Sequence, residues 1–137
     1  MSNNQELPEI RQLEAIGFRS WPAEFSHFDG TWVVRRSPGH DAKRINSVNP
    51  MDRGDYKDLE QRVNDLANDF GKINRPLTFR LTPLAPVQLA ALFRNWNWQR
   101  IDESRVMLLD LATAGLEDAI TQLPLKDVAH WIDQGVA

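Results

Sequence analysis

The chain has 137 residues, 42% of them hydrophobic, enough for one compact core and too few for two ordinary domains. A formal charge of −3 gives no positive field to attract nucleic acid or an anionic membrane surface, and no apolar run reaches the roughly 20 residues of a membrane-spanning helix. The absence of cysteine excludes disulfides, thiolate metal sites and cysteine nucleophiles; with no secretory core in MSNNQELPEI, the expected compartment is the cytoplasm.

Pro8 suits a first helical turn, and Ile10, Leu13 and Ile16 form one apolar stripe that Gly17 can end. The following AEFSHFDGTWVVRR reads as a β-hairpin turning at Asp29-Gly30. Ser37-Pro38-Gly39-His40 breaks its second strand. A third strand is expected from Lys43 to Asn49, with Arg44, Asn46 and Val48 on one face and Ile45 and Ser47 on the other. Asp52 or Asp55 can then cap the longest helix, whose Leu59, Val63, Leu66 and Phe70 recur at helical spacing, with Gly71 as its stop.

After Arg75-Pro76, LTFRLT alternates as a half-buried strand, and Pro83 and Pro86 introduce a further helix that turns near Asn97. A strand from about Ser104 to Leu111 is expected to close the domain. The organisation expected is thus an α/β domain over residues 1–111, a mixed β-sheet with flanking helices, then an acidic tail or linker over 112–137 with helical signals at 116–121 and from Lys126.

Three stretches carry a resemblance: Gly30-Thr31-Trp32 with Arg35, Lys43 through Pro50, and Thr78 through Thr82. Over residues 10 to 111 the chain resembles the degenerate first domain of two-part acetyltransferases of the GNAT superfamily, whose second domain carries the cofactor. The resemblance implies a GNAT-like fold and transfer of acetyl from acetyl-CoA to a small-molecule or peptide amine. It also implies a catalytic GNAT domain in cis, or a homodimer mate, as partner. That family's pyrophosphate signature is Arg or Gln, two residues, Gly, one residue, then Gly or Ala, a loop whose amides and following helix face the diphosphate.

The nearest string, Arg36-Ser37-Pro38-Gly39-His40-Asp41, has Asp at the last position, Pro38 without an amide donor, and no helix after it. At the expected place, Met51 to Asp58, three aspartates precede the helix instead. The chain alone is therefore expected to bind no cofactor, and its catalytic residues are not identifiable.

His27, His40 and His130 are too scattered for a metal site, and no nucleophile elbow or nucleotide fingerprint is present. Asp58, Glu60, Asp65 and Asp69 read as a solvated helix face. Arg35, Arg36, Lys43 and Arg44 concentrate positive charge that Asp41 opposes locally. If the polar sides of the strands line one cleft, its donors are Arg44, Asn46, Thr78 and Arg80. Arg35, Arg44, Asn46, Thr78 and Arg80 are accordingly the candidate substrate- or partner-binding residues. Of five tryptophans, Trp131 is the candidate anchor for a neighbouring domain. The runner-up reading is a non-catalytic GNAT-like binding or dimerisation module, and the third a self-sufficient acetyltransferase with an unusual loop.

Overall fold

The computed structural model describes residues 3–113, and the tail helices expected beyond Leu116, with His130 and Trp131, lie outside them. Helix α1 (Asn3–Ser20) leads into strands β1 (Phe25–Asp29), β2 (Trp32–Arg36) and β3 (Ser47–Pro50), which pair antiparallel in the order β1-β2-β3. Helices α2 (Leu59–Lys72) and α3 (Val87–Asn95) follow. The class is α/β. Phe79 adds a single parallel bridge beside Val48, fixed by Val48 N–H to Thr78 O at 2.8 Å and Arg80 N–H to Val48 O at 2.9 Å. The strand expected of LTFRLT is therefore reduced to a single bridged residue.

Several boundaries move for physical reasons. α1 runs past Gly17 to Ser20 and carries Pro8 inside it. Asp29 pairs with Trp32, so the hairpin loop is Gly30-Thr31, one residue later than Asp29-Gly30. Gly30 has φ +59°, as the first loop residue of a type II′ turn requires, and a Cβ there would lie 2.7 Å from Asp55 Oδ2 and 2.9 Å from Arg62 Nη2. The third strand starts at Ser47 because Lys43–Ile45 form a 3₁₀ turn. Asn46 holds that turn: its Oδ1 accepts from Ser37 N–H at 2.7 Å, and its Nδ2 donates to His40 O at 2.7 Å and Ala42 O at 3.1 Å.

Neither Asp52 nor Asp55 caps α2. The residue before the helix is Asp58, in a left-handed conformation (φ 52°, ψ 38°) with no side-chain cap bond. Asp52 instead accepts from Gly54 N–H at 2.7 Å, and Asp55 turns toward Thr31 and Arg62, a guanidinium partner stronger than a neutral amide. Nor does Gly71 end the helix. Asn74 (φ 56°) does, with Asn74 N–H to Gly71 O at 3.0 Å and Arg75 N–H to Phe70 O at 3.0 Å, the two bonds of a Schellman motif. α3 ends the same way on Asn97 (φ 55°), with Trp98 N–H to Phe93 O at 2.9 Å. The apolar contact that accompanies such a motif is present too, as Phe93 and Trp98 stack with centroids 4.3 Å apart.

Register divides the sheet into two chemically unlike faces. Trp32, Val34 and Val48 point to the side where Val63, Leu66 and Phe70 of α2 and Leu89, Leu92 and Phe93 of α3 pack, with Phe79 edge-on to Trp32 at 5.5 Å. Each such side chain contributes about 1.5–3 kcal/mol of burial. The alternate residues Val33, Arg35, Ser47 and Asn49 point to the side that α1 covers, through Phe18 over Arg35 and Glu14 against Arg80.

Among the described residues, those up to Gln99 form one compact unit and those from Arg100 onward fall outside it. The closing strand expected from Ser104 to Leu111 does not form: residues 101–110 have no regular structure, and Met107 is 82% exposed. Among the described residues no neighbouring strand supplies this segment with ladder hydrogen bonds.

Candidate functional site

The candidate residues fall in three settings. Arg35 is buried to 1% exposure. Its Nη1 donates to Arg44 O at 2.8 Å and its Nη2 to Phe18 O at 3.3 Å and to Trp21 O, while its Nε has no partner. Burial first, then the charge of Arg44, pushes this guanidinium below its ordinary pKa. Three carbonyls and the Phe18 ring, 5.0 Å from Arg35 Cζ, stand where a carboxylate would be expected. Arg44 is exposed and enters the network through its main chain, accepting also from Ser47 Oγ at 3.1 Å. Asn46 is buried in the 37–46 loop described above and Thr78 serves the sheet through its carbonyl.

Arg80 faces α1. It forms a two-pronged pair with Glu14, Nε to Oε2 at 3.0 Å and Nη2 to Oε1 at 2.9 Å, and the hydrogen bonds to Glu14 raise its pKa against the effect of burial. Arg35, Thr78 and Arg80 thus share the α1-side face, whereas Arg44 and Asn46 precede the strand. Asp41 pairs with Arg75 and so does not offset Arg44.

The register lines up a continuous surface. Val33 pairs with Asn49, and Arg80 lies level with Asn49 across the parallel bridge. Asn49 Nδ2 donates to Val33 O at 3.1 Å and to Ser47 Oγ at 3.1 Å. Beside this row opens a groove between α1 (Arg11, Ala15, Phe18) and the hairpin (Phe28, Gly30, Thr31, Val33), ending at Met51 and Asp52. Phe28 is 71% exposed there. Arg11 closes one end by donating to Met51 O at 3.3 Å. The row Val33-Asn49-Arg80 was not anticipated from sequence: alternation groups Val33 with Arg35 and Ser47 with Asn49 within their strands, and only the register pairs Val33 with Asn49.

The second unanticipated feature is Arg62. Its guanidinium lies 3.7 Å from the Trp32 ring centroid and donates to Asp29 Oδ1 (3.2 Å), Asp29 O (2.8 Å) and Asp55 Oδ1 (2.8 Å). Asp55 Oδ2 in turn accepts from Thr31 N–H at 2.9 Å and Thr31 Oγ1 at 2.7 Å. Burial would raise the Asp55 pKa, but the bonds from Arg62 and Thr31 outweigh it and hold the carboxyl below its ordinary value. Residues 51–58 are thereby fastened to the hairpin, and Arg53 Nε adds a bond to Pro83 O.

Among the described residues no group of histidines and carboxylates could hold a metal ion, and no helix is long and apolar enough to cross a membrane. No family model matches the chain, and no solved structure matches it. The chain is 28% identical over 100 residues to the uncharacterized N-acetyltransferase YobR of Bacillus subtilis (strain 168); the match takes in 71% of this chain and 38% of that protein. The similarity supports the acetyltransferase resemblance, and the chain spans well under half of the relative's length.

Proposed function

We propose that this chain is one half of a GNAT-superfamily N-acetyltransferase, shaping the acceptor-amine side of the site and leaving acetyl-CoA to a catalytic GNAT domain in cis. The likeness to an N-acetyltransferase over 100 residues supports the class. The 51–58 segment supports the division of labour, and it is the observation that carries the reading. A diphosphate needs several converging amides and positive charge. Here the Gly54 amide is bound by Asp52, the Asp55 amide donates to Asp52 O at 3.3 Å, and Asp52, Asp55 and Asp58 bring three carboxylates to one short loop. Residues 51–58 therefore do not fit the pyrophosphate of the coenzyme.

Calorimetric titration of the chain with acetyl-CoA tests this: no saturable heat is expected, and micromolar binding would overturn it. The exposed apolar run Val106, Met107, Leu108, Leu109 and Leu111 favours a second reading, a non-catalytic GNAT-like binding or dimerisation module. Sedimentation across a concentration series separates the two, since a dimer that binds no acetyl-CoA and gains no activity from a catalytic GNAT domain supports the module.

A further inference from the structure

The α1-side face of the sheet is unusual for a buried interface. A helix held permanently on a sheet normally buries an apolar stripe against an apolar face. Here the residues beneath α1 include Arg35, Ser47, Asn49 and Arg80, and the first three are 1–3% exposed. α1 contributes none of the buried core hydrophobics. It is held instead by Glu14 on Arg80, Arg11 on the Met51 carbonyl and Phe18 over Arg35. We propose that this face is a binding surface for a small polycarboxylate, and that α1 closes it by placing its own Glu14 carboxylate where the ligand's would sit.

Three independent features point the same way. Arg80 meets Glu14 with both Nε and Nη2, the fork geometry by which a guanidinium recognises any carboxylate. Arg35, a buried cation on the same face, makes all its hydrogen bonds among the described residues to main-chain carbonyls, and its Nε makes none, so the face has positive charge beyond what Glu14 neutralises. Strand geometry puts the Cα atoms of Arg35 and Arg80 roughly 12 Å apart, diagonally across β3, with Ser47 and Asn49 between them. The groove beside α1 is the route in: its Val33 floor continues in register to Asn49 and Arg80. A ligand entering there replaces Glu14 on Arg80, and α1 lifts by losing its charged fastening. The proposal rests on this face alone and is independent of the acetyltransferase reading.

The test uses the full chain, with citrate as probe at fixed ionic strength. In the wild type citrate binds weakly, because it competes with Glu14, and it speeds hydrogen exchange of the α1 amides. Glu14→Gln, which removes the charge and keeps the shape, is expected to tighten citrate binding at least tenfold, and Arg80→Met in either background to abolish it. Unchanged affinity in Glu14→Gln, or citrate binding that survives Arg80→Met, overturns the proposal. Glu14→Asp provides a second, milder variant with an intermediate affinity expected. Global unfolding of both Glu14 variants would show the pair to be a structural clasp and would equally overturn it.

Discussion

Arg62 is the residue on which the local geometry of the hairpin depends. Its charge lies against the Trp32 ring and is shared by Asp29 and Asp55, so removing Arg62 strips two partly buried carboxylates of their cation, while removing either aspartate leaves Arg62 with the other and without half its bonds. Asp55→Asn is expected to cost about 2–3 kcal/mol at neutral pH, and Gly30→Ala a similar amount through strain and collision with Asp55, both read by urea denaturation. The pH dependence follows from the direction of the shift. Because folding lowers the Asp55 pKa, its contribution is fully present above the unfolded value of about 3.9 and disappears as pH falls through the lower folded value. The Asp55→Asn chain should therefore lose less stability than the wild type on acidification below pH about 4. An identical acid profile for the two would remove Asp55 from this role. Sequence reading offers Asp52 or Asp55 as the helix cap because an acid before a helix ordinarily sits there. Nothing local signals that Thr31, 24 residues earlier, claims its carboxylate.

At the level of elements, helix α2 was legible because Leu59, Val63, Leu66 and Phe70 share one face, and packing obeys that spacing whatever the caps do. Its end was not, since two residues compete for the stop and Asn74 wins by adopting the left-handed conformation after Gly71 has stayed helical. Asn74→Ala and Asn97→Ala should each destabilise by about 1 kcal/mol, whereas the glycine variants should be neutral or slightly stabilising. Equal melting temperatures for alanine and glycine would refute the assignment of those caps. The candidate site was legible only in part. Alternation along TFRLT put Thr78 and Arg80 on one face, and they are on one face. The burial of Arg35 was hidden, because its carbonyl partners come from residues 18, 21 and 44, which no periodicity brings together.

For the molecule as a whole, the sheet separates two layers held by different forces. On one side Trp32, Val34, Val48 and Phe79 meet α2 and α3 through apolar contact. On the other, α1 rests on the Glu14–Arg80 ion pair, the bond from Arg11 to the Met51 carbonyl and Phe18 over Arg35. Sodium chloride at about 1 M shortens the reach of charge to about 3 Å and should quicken amide exchange in α1 alone, while sulfate, which favours apolar burial, should slow it in α2 and α3. Uniform acceleration across all three helices would contradict the division. Cells alter ionic composition far more readily than they alter sequence, so a layer responsive to electrolyte beside one that is not lets the medium loosen a single helix without melting the fold.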